Sequence, residues 1–207
     1  MSAERIPLFP LEVVLFPGTP LPLHIFEPRY KLMIRRCLEH RQEFGVILAR
    51  SKGIAAVGCT AEIVKVVKKY EDGRMDILTM GQTPYRVVEL FEEQPYLEGT
   101  VEYLEDELAA APAKIRGRLV ALYEKCYQLV YGRSPNPPDA NSEFSLGYQI
   151  AGELPLHLEH KQELLELRSE SERQKRLVER LDQWLPQLTH LERVRGKAGG
   201  NGRGVSQ

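Results

Sequence analysis

Two hydrophobic periods divide the chain. Up to about residue 110 apolar residues come in short runs or alternate with polar ones, and beyond about 113 they recur every three or four positions, the period of a helix face. In the first part, IPLFPLEVVLFPG carries three prolines that restrict ladder pairing to edges or irregular stretches. Leu21 to Ile25 and GVILAR at 45–50 follow as strands. AEIVKVVKKY, Ala61 to Tyr70, reads as a strand in which Ile63, Lys65, Val67 and Lys69 share one face and Glu62, Val64, Val66 and Lys68 the other. It enters a turn at EDG, 71–73, and returns as RMDILTMG, which makes a hairpin. PYRVVELF at 84–91 and YLEGTVEYL at 96–104 continue the series. Six or more short strands with one intervening helix predict a small barrel rather than a parallel βαβ fold, which lacks its helices here.

The early helix is PRYKLMIRRCLEHR, 28–41, where Tyr30, Met33, Ile34, Cys37 and Leu38 make one apolar face and Pro28 suits the first helical position. Later, Ile115, Leu119, Leu122, Cys126, Leu129 and Val130 line a helix that Gly132 ends in a left-handed conformation. RSPNPPDAN, 133–141, is an irregular linker. A short helix is expected over 142–152, with Phe144, Tyr148 and Ala151 available to pack, and LPL at 154–156 interrupts it. Helices over 158–168 and 170–192 follow, the second opened by the capping-box spacing of Ser169 and Glu172 and kinked or shortened by Pro186. Leu177, Leu181, Leu185 and Leu188, with Trp184 beside them, form its buried face. The expected division is a β-rich domain over 1–110, a helical bundle over 111–195 and a disordered tail over 196–207, where apolar residues are too few to offset the entropy of ordering.

Charge narrows the function classes. The chain has 207 residues and a net charge of −1, and neither half carries a basic stripe, which argues against a dedicated nucleic-acid binder. The N-terminal MSAERIPLFP has no apolar leader segment, and no window approaches the roughly 20 uncharged apolar residues of a membrane span. A cytoplasmic protein is expected. Cys37, Cys59 and Cys126 are too far apart for a CxxC pair and read as small core residues in a reducing compartment.

No constellation for catalysis emerges. A phosphate loop is missing, since Gly196-Lys197 is followed by Ala198 and no strand precedes it. His157 and His160 in HLEH have helical spacing but no third ligand, so they read as solvated or capping residues and no metal or cofactor is expected. GxSxG is absent. Lys65, Lys68 and Lys69 read as a solvated strand edge, EDE at 105–107 as a solvated domain exit, and Tyr123, Tyr127 and Tyr131 as a packing stripe.

The ordered set of segments resembles the N-terminal substrate-binding domain of the Lon family of ATP-dependent proteases. IPLFPLEVVLFPGTPLPLHIFEPRYKLMI, with Phe26, Glu27, Pro28, Arg29 and Tyr30 before the helix, is similar to the family's opening pattern. GVILAR, the region GCTAEIVKVVKKYEDGRMDILTMGQTPYRVVEL and LPLHLEHKQELLELRSESERQKRLVERL continue it in order, over about 5–190. The resemblance implies an α+β fold, a six-stranded PUA-like β-barrel followed by a helical bundle. It also implies a non-enzymatic module that binds unfolded or tagged polypeptides, with an ATP-dependent protease as a further partner. The ATPase and serine-lysine peptidase segments of Lon proteases have no counterpart before residue 207, so neither activity is expected. Candidate binding residues are Phe9, Phe16 and Leu21 in the proline-rich loops, together with the cleft between barrel and bundle. An exposed apolar patch there would equally serve self-association. An RNA-binding module is the alternative, since PUA-like barrels often bind RNA.

LPLHIFEPRY, Leu21–Tyr30, carries four reactive-looking side chains and reads as a strand-to-helix corner. Leu21, Leu23 and Ile25 share one strand face, His24 points away from it, Glu27 meets the free N–H groups of the helix start, and Arg29 pairs with an acid such as Glu27.

Overall fold

The computed structural model describes residues 4–107, 111–139 and 142–200, with the side chains of 195–200 left aside. Its elements are β1 (Glu4–Leu11), β2 (Pro20–Ile25), α1 (Pro28–His40), β3 (Phe44–Arg50), β4 (Gly53–Lys69), β5 (Met75–Phe91), β6 (Leu97–Tyr103), α2 (Ala113–Tyr131), α3 (Leu146–Glu153), α4 (Leu158–Glu166) and α5 (Glu170–Gly200). The six strands run in the order β2-β5-β4-β3-β1-β6, and a further β5–β6 pairing closes the sheet into a barrel. Closure is possible because β5 is long and bent. Its first half, Met75–Met80, pairs with β2, and its second half, Tyr85–Phe91, pairs with β6. β1 lies between β3, to which it is parallel, and β6, to which it is antiparallel.

The stretches expected as separate strands at 74–81 and 84–91 are thus one strand. Gly81 and Pro84 look like breaks, but they flank a bulge in which Gln82 and Thr83 together stand opposite the single residue Thr60 of β4. Gly81 is required there. A Cβ on it would lie 2.1 Å from the carbonyl oxygen of Phe16 in the loop that crosses this bend. β4 also starts earlier than its pattern announces, because Gly53, Gly58 and Cys59 carry little strand signal. Gly58 serves the barrel interior. Its Cβ would meet the hydroxyl of Tyr85 at 2.5 Å, and that fully buried tyrosine fills the barrel centre and donates to the Val46 carbonyl at 3.3 Å.

α1 forms as its periodicity predicts, with Tyr30, Met33, Ile34 and Cys37 buried and Pro28 in the first turn. Arg41 closes it in a left-handed conformation at φ 52°, its N–H donating to the Cys37 carbonyl. α2 ends at Gly132 with φ 69° as expected. α3 starts at Leu146 rather than 142, since Ser145 is the residue that caps it, accepting from the Tyr148 N–H. α5 passes through Pro186 without ending and continues through residues 196–200, which composition assigned to a structureless tail. Residues 201–207 of that tail lie outside the described residues. Burial along α5 fades from Leu177 and Leu181, which are fully buried, through half-buried Trp184, Leu185 and Leu188 to exposed Leu191 and Val194. No described helix is long and apolar enough to cross a membrane.

Barrel and helices share one apolar cluster, which includes Leu8, Phe16 and Tyr85 from the strands and Leu119, Tyr148 and Leu177 from the helices. A buried cation fastens them. Arg173 of α5 is completely buried and donates to Asp106 at 2.8 Å, to Glu170 at 2.6 Å and to the carbonyls of Leu164 and Leu167, with the Tyr148 ring 3.7 Å beneath its guanidinium. The expectation of a solvated EDE exit is therefore corrected at its middle residue. Asp106 leaves the barrel facing Arg173 and Arg168, because a buried guanidinium must be met by carboxylates and carbonyls.

Candidate functional site

Of the three residues expected to offer an apolar patch, Phe9 and Phe16 are buried and Leu21 is half-buried. Phe9 is buried with its ring stacked 4.0 Å from Tyr30, and Phe16 is fully buried with its ring 5.7 Å from Tyr148. Leu21 is half-buried on the inward face of β2 with Leu23 and Ile25. Phe9 belongs to β1 itself, and Phe16 to the loop between β1 and β2, so both rings join the shared core. The cleft between barrel and helices is a cavity of about 350 Å³ with apolar walls of Pro17, Pro84, Leu104 and Phe144 and four carboxylates, of which Asp106 and Glu170 pair with Arg173 and Glu107 and Glu143 add further negative charge.

The strand-to-helix corner is a joint, with one correction. Arg29 pairs with Glu27 at 2.8 Å and lies 4.5 Å over the Tyr30 ring, as a paired acid predicts. Glu27 stands at the helix start, but its side chain makes no cap hydrogen bond. Only its backbone carbonyl serves there, accepting from the N–H groups of Tyr30 and Lys31. The nearby guanidinium competes successfully for the carboxylate. Phe26, the first residue of that signature, is 59% exposed.

That exposure leads to the outer face of the sheet formed by β2, β5 and β4. Residues of one face stand opposite one another in the pairs His24↔Asp76↔Lys68, Pro22↔Leu78↔Lys65 and Pro20↔Met80↔Glu62. Between them the register of β4 slips twice, once between Ile63 and Lys65 and once between Val66 and Lys68. Val64 and Val67 are the extra residues. Each bulge restarts the alternation, so the inward positions become Ala61, Ile63 and Val66, while Val64-Lys65 and Val67-Lys68 both face water. The two-residue alternation expected for this strand is replaced by a repeat of three, one inward and two outward. Val64 is 53% and Val67 60% exposed. With Pro20, Pro22 and half-buried Leu78 and Met80 they make an apolar strip, and Lys65, Lys68 and Glu62 border it.

An aromatic cluster ends the strip. The His24 ring stacks 6.0 Å from Phe26 and meets Tyr70 edge-on at 5.9 Å. Asp76 accepts from both sides, from His24 Nδ1 at 2.6 Å and from the Tyr70 hydroxyl at 2.7 Å, and these bonds, His24 first, hold its carboxyl below the usual carboxylate range. Lys68 and Arg74 stand over the Tyr70 ring at 4.4 and 5.0 Å. The arrangement fits a surface that grips extended apolar or aromatic segments, with cations to meet acids at their flanks.

Sequence reasoning looked to the prolines and phenylalanines of the loops and missed this face. A three-residue repeat, IVK-VVK, was the available signal, and it becomes readable once bulges are admitted.

Elsewhere the reactive side chains are spoken for by packing. The three cysteines are buried, and burial pushes the thiol of Cys37 up to about 12 and that of Cys126 up to about 11, far from a nucleophilic thiolate. Tyr123 and Tyr127 are buried in the α2 stripe, where the Tyr123 hydroxyl donates to Glu153, while Tyr131 is 45% exposed. His157 and His160 stand edge to face 6.2 Å apart at the start of α4. Among the described residues no group of three His, Cys, Asp or Glu side chains is placed to hold a metal ion.

Comparison with known proteins agrees with this architecture. A model of the ATP-dependent protease La (LON) substrate-binding domain matches residues 5–183. The Lon protease of Anaeromyxobacter dehalogenans is 27% identical over 194 residues, which are 86% of this chain and 23% of that protein. Lon protease 2 of Myxococcus xanthus is 28% identical over 196 residues, 86% of this chain and 24% of that protein. The chain therefore spans about a quarter of the length of these relatives, within their substrate-binding part. Among solved structures, the Lon N-terminal domain protein from Xanthomonas campestris superposes with a TM-score of 0.68 at 26% identity, over 84% of this chain and 97% of that one. The N-terminal domain of the Mycobacterium avium complex Lon protease shares the fold at a TM-score of 0.61 and 18% identity, over 86% of this chain and 98% of that one. With six strands closed into a barrel, helices following them and a family match over most of its length, the chain belongs to the LON substrate-binding domain family.

Proposed function

We propose that the chain is a non-enzymatic polypeptide-binding module of the cytoplasm, which holds unfolded or tagged proteins on the outer face of β2, β5 and β4 and delivers them to an ATP-dependent protease. The observation that carries this reading is the pair of bulges that turn Val64 and Val67 outward beside Pro20, Pro22, Leu78 and Met80. Exposing valines on a strand forgoes roughly 1 kcal/mol each of burial, and a contiguous strip of such residues marks a surface that meets a partner. Family membership supports the same role.

An RNA-binding face is the second reading, since Lys68 stands over the half-buried ring of Tyr70, and Phe26 nearby is exposed, in the manner of a stacking platform. Glu62 and Asp76 on the same face weigh against it. One titration separates the two. Binding of a permanently unfolded casein that persists as salt is raised, and weakens about tenfold in V64K/V67K with unchanged thermal midpoint, is the expected result. Steeply salt-dependent binding of a structured RNA, with casein unbound, overturns the reading. The same preparation is expected neither to hydrolyse ATP nor to cleave casein, and turnover by a clean sample would contradict the non-enzymatic assignment.

A further inference from the structure

The outer face ends at Tyr70, and the ring has a second side. Between α1 and the tip of the β4–β5 hairpin lies a cavity of about 410 Å³ whose apolar walls are Leu38, Tyr70 and Met75 and whose rim carries Arg35, Lys69 and Arg74. Tyr70 therefore belongs to both places. It closes the cavity, and through Asp76 it is tied to His24 on the outer face. The hairpin tip is fixed in position, with the Tyr70 N–H donating to the Arg74 carbonyl at 3.0 Å, Gly73 turning at φ 80° and the Lys31 ammonium donating to the Asp72 carbonyl at 2.9 Å across from α1.

The charge at this rim is unbalanced. Arg74 is occupied by Asp72 at 2.6 Å. Arg35, on the exposed side of α1, and Lys69, at the end of β4, form no ion pair or hydrogen bond among the described residues, and Glu39 is the one acid that lines the cavity. Two free cations thus face an apolar notch. A simple anion such as phosphate would use the cations and leave the walls of Leu38, Tyr70 and Met75 idle, whereas an apolar side chain alone would leave the cations idle. A group carrying both, an apolar side chain and a carboxylate on the same carbon, fits the whole cavity.

We propose that this cavity receives the free C-terminus of a polypeptide ending in an apolar residue, with the last side chain between Leu38, Tyr70 and Met75 and the α-carboxylate between Arg35 and Lys69. The inference rests on the polypeptide-binding reading, since the rest of the bound chain would run from Tyr70 along the outer face. It makes the module selective for chain ends as well as for unfolded segments.

The test uses the whole chain and three versions of one flexible peptide rich in Gly, Ser and Val, labelled at its N-terminus. The first ends in Leu with a free carboxylate, the second in Leu with a carboxamide, and the third in Asp with a free carboxylate. Fluorescence anisotropy is expected to show the first binding about tenfold more tightly than the other two, as charge-assisted bonds to a partly exposed carboxylate would give. R35E/K69E is expected to bring the first peptide to the level of the carboxamide and to leave the carboxamide's own affinity unchanged. Both positions are exposed and unpartnered, so the fold does not depend on them. Equal affinities of the first two peptides in the unaltered chain overturn the inference while the polypeptide-binding reading stands. A preference that survives R35E/K69E also overturns it, by placing the carboxylate elsewhere. If no peptide binds at all, the polypeptide-binding reading fails and takes the inference with it.

Discussion

Glu27 and Arg173 show how differently two charged side chains weigh in one chain. Glu27 pairs with Arg29 in the open, where solvent and salt screen the attraction, so Glu27→Gln is expected to cost no more than about 0.5 kcal/mol in urea unfolding and to leave polypeptide binding unchanged. Arg173 is fully buried against two carboxylates. Arg173→Met keeps the length of the side chain but leaves Glu170 without its cation and Asp106 with Arg168 alone, and is expected to cost about 3 kcal/mol by the same measurement. A smaller loss would show that water reaches the cluster. The first pair was legible in the sequence because its members are two residues apart at a recognisable helix start. The second was not, since 67 residues separate Arg173 from Asp106 and nothing in EDE distinguishes a carboxylate awaiting a buried guanidinium from one awaiting water. The same limit hid Phe9 and Phe16, whose burial depends on Tyr30 and Tyr148 arriving from elsewhere.

At the scale of elements, helices announced themselves and strands did so only in part. A helix face is written in residues three and four apart, so α1 could be read directly and α2 down to Gly132 at its end, although Tyr123 and Tyr127, read as a separate packing stripe, share its buried side with Leu119, Leu122 and Cys126. A strand's faces depend on its partner, and the bulges of β4 are visible only against β5. They make a sharp prediction. Because Val64 is an extra residue, its deletion joins Ile63 to Lys65 and leaves Ile63 opposite Thr79 and Lys65 opposite Leu78, the faces they already occupy. The deletion is expected to fold with an unchanged circular dichroism spectrum and to lose no more than about 1 kcal/mol. Deleting Leu78 from the regular stretch of β5 would instead force its neighbours onto the wrong face, and no soluble folded product is expected. If both deletions behave alike, the bulge assignment and the exposed strip built on it are wrong.

For the molecule as a whole, barrel and helices melt together if their shared core holds them, and alkaline pH is the handle on it. Burial raises the pKa of Cys37 to about 12, of Cys126 to about 11 and of Cys59 further still, and Tyr123 and Tyr148 are raised as well. In the unfolded chain these thiols ionise near their ordinary value of about 8.5. Below that value both states hold the proton and stability is at its full level. Above it the unfolded chain releases protons that the folded chain retains, so stability falls as pH rises from about 8.5 to 12. The urea midpoint is expected to drop across this range, followed by one probe in the barrel and another in the helices, with the two transitions coincident. Separate transitions would show two independent units.

Barrel closure also has a timetable. β1 carries Ile6, Leu8 and Phe9 into the core, yet its two neighbours are β3, some forty residues later, and β6, where Glu4 pairs with Val101. At a synthesis rate of roughly 5–20 residues per second, the strand waits on the order of 5–20 seconds between leaving the ribosome and meeting its last partner. Until β3 follows, a proline-interrupted apolar segment stands without a sheet, and until β6 follows one of its edges stays open, which is the kind of segment this module is proposed to hold on behalf of other proteins.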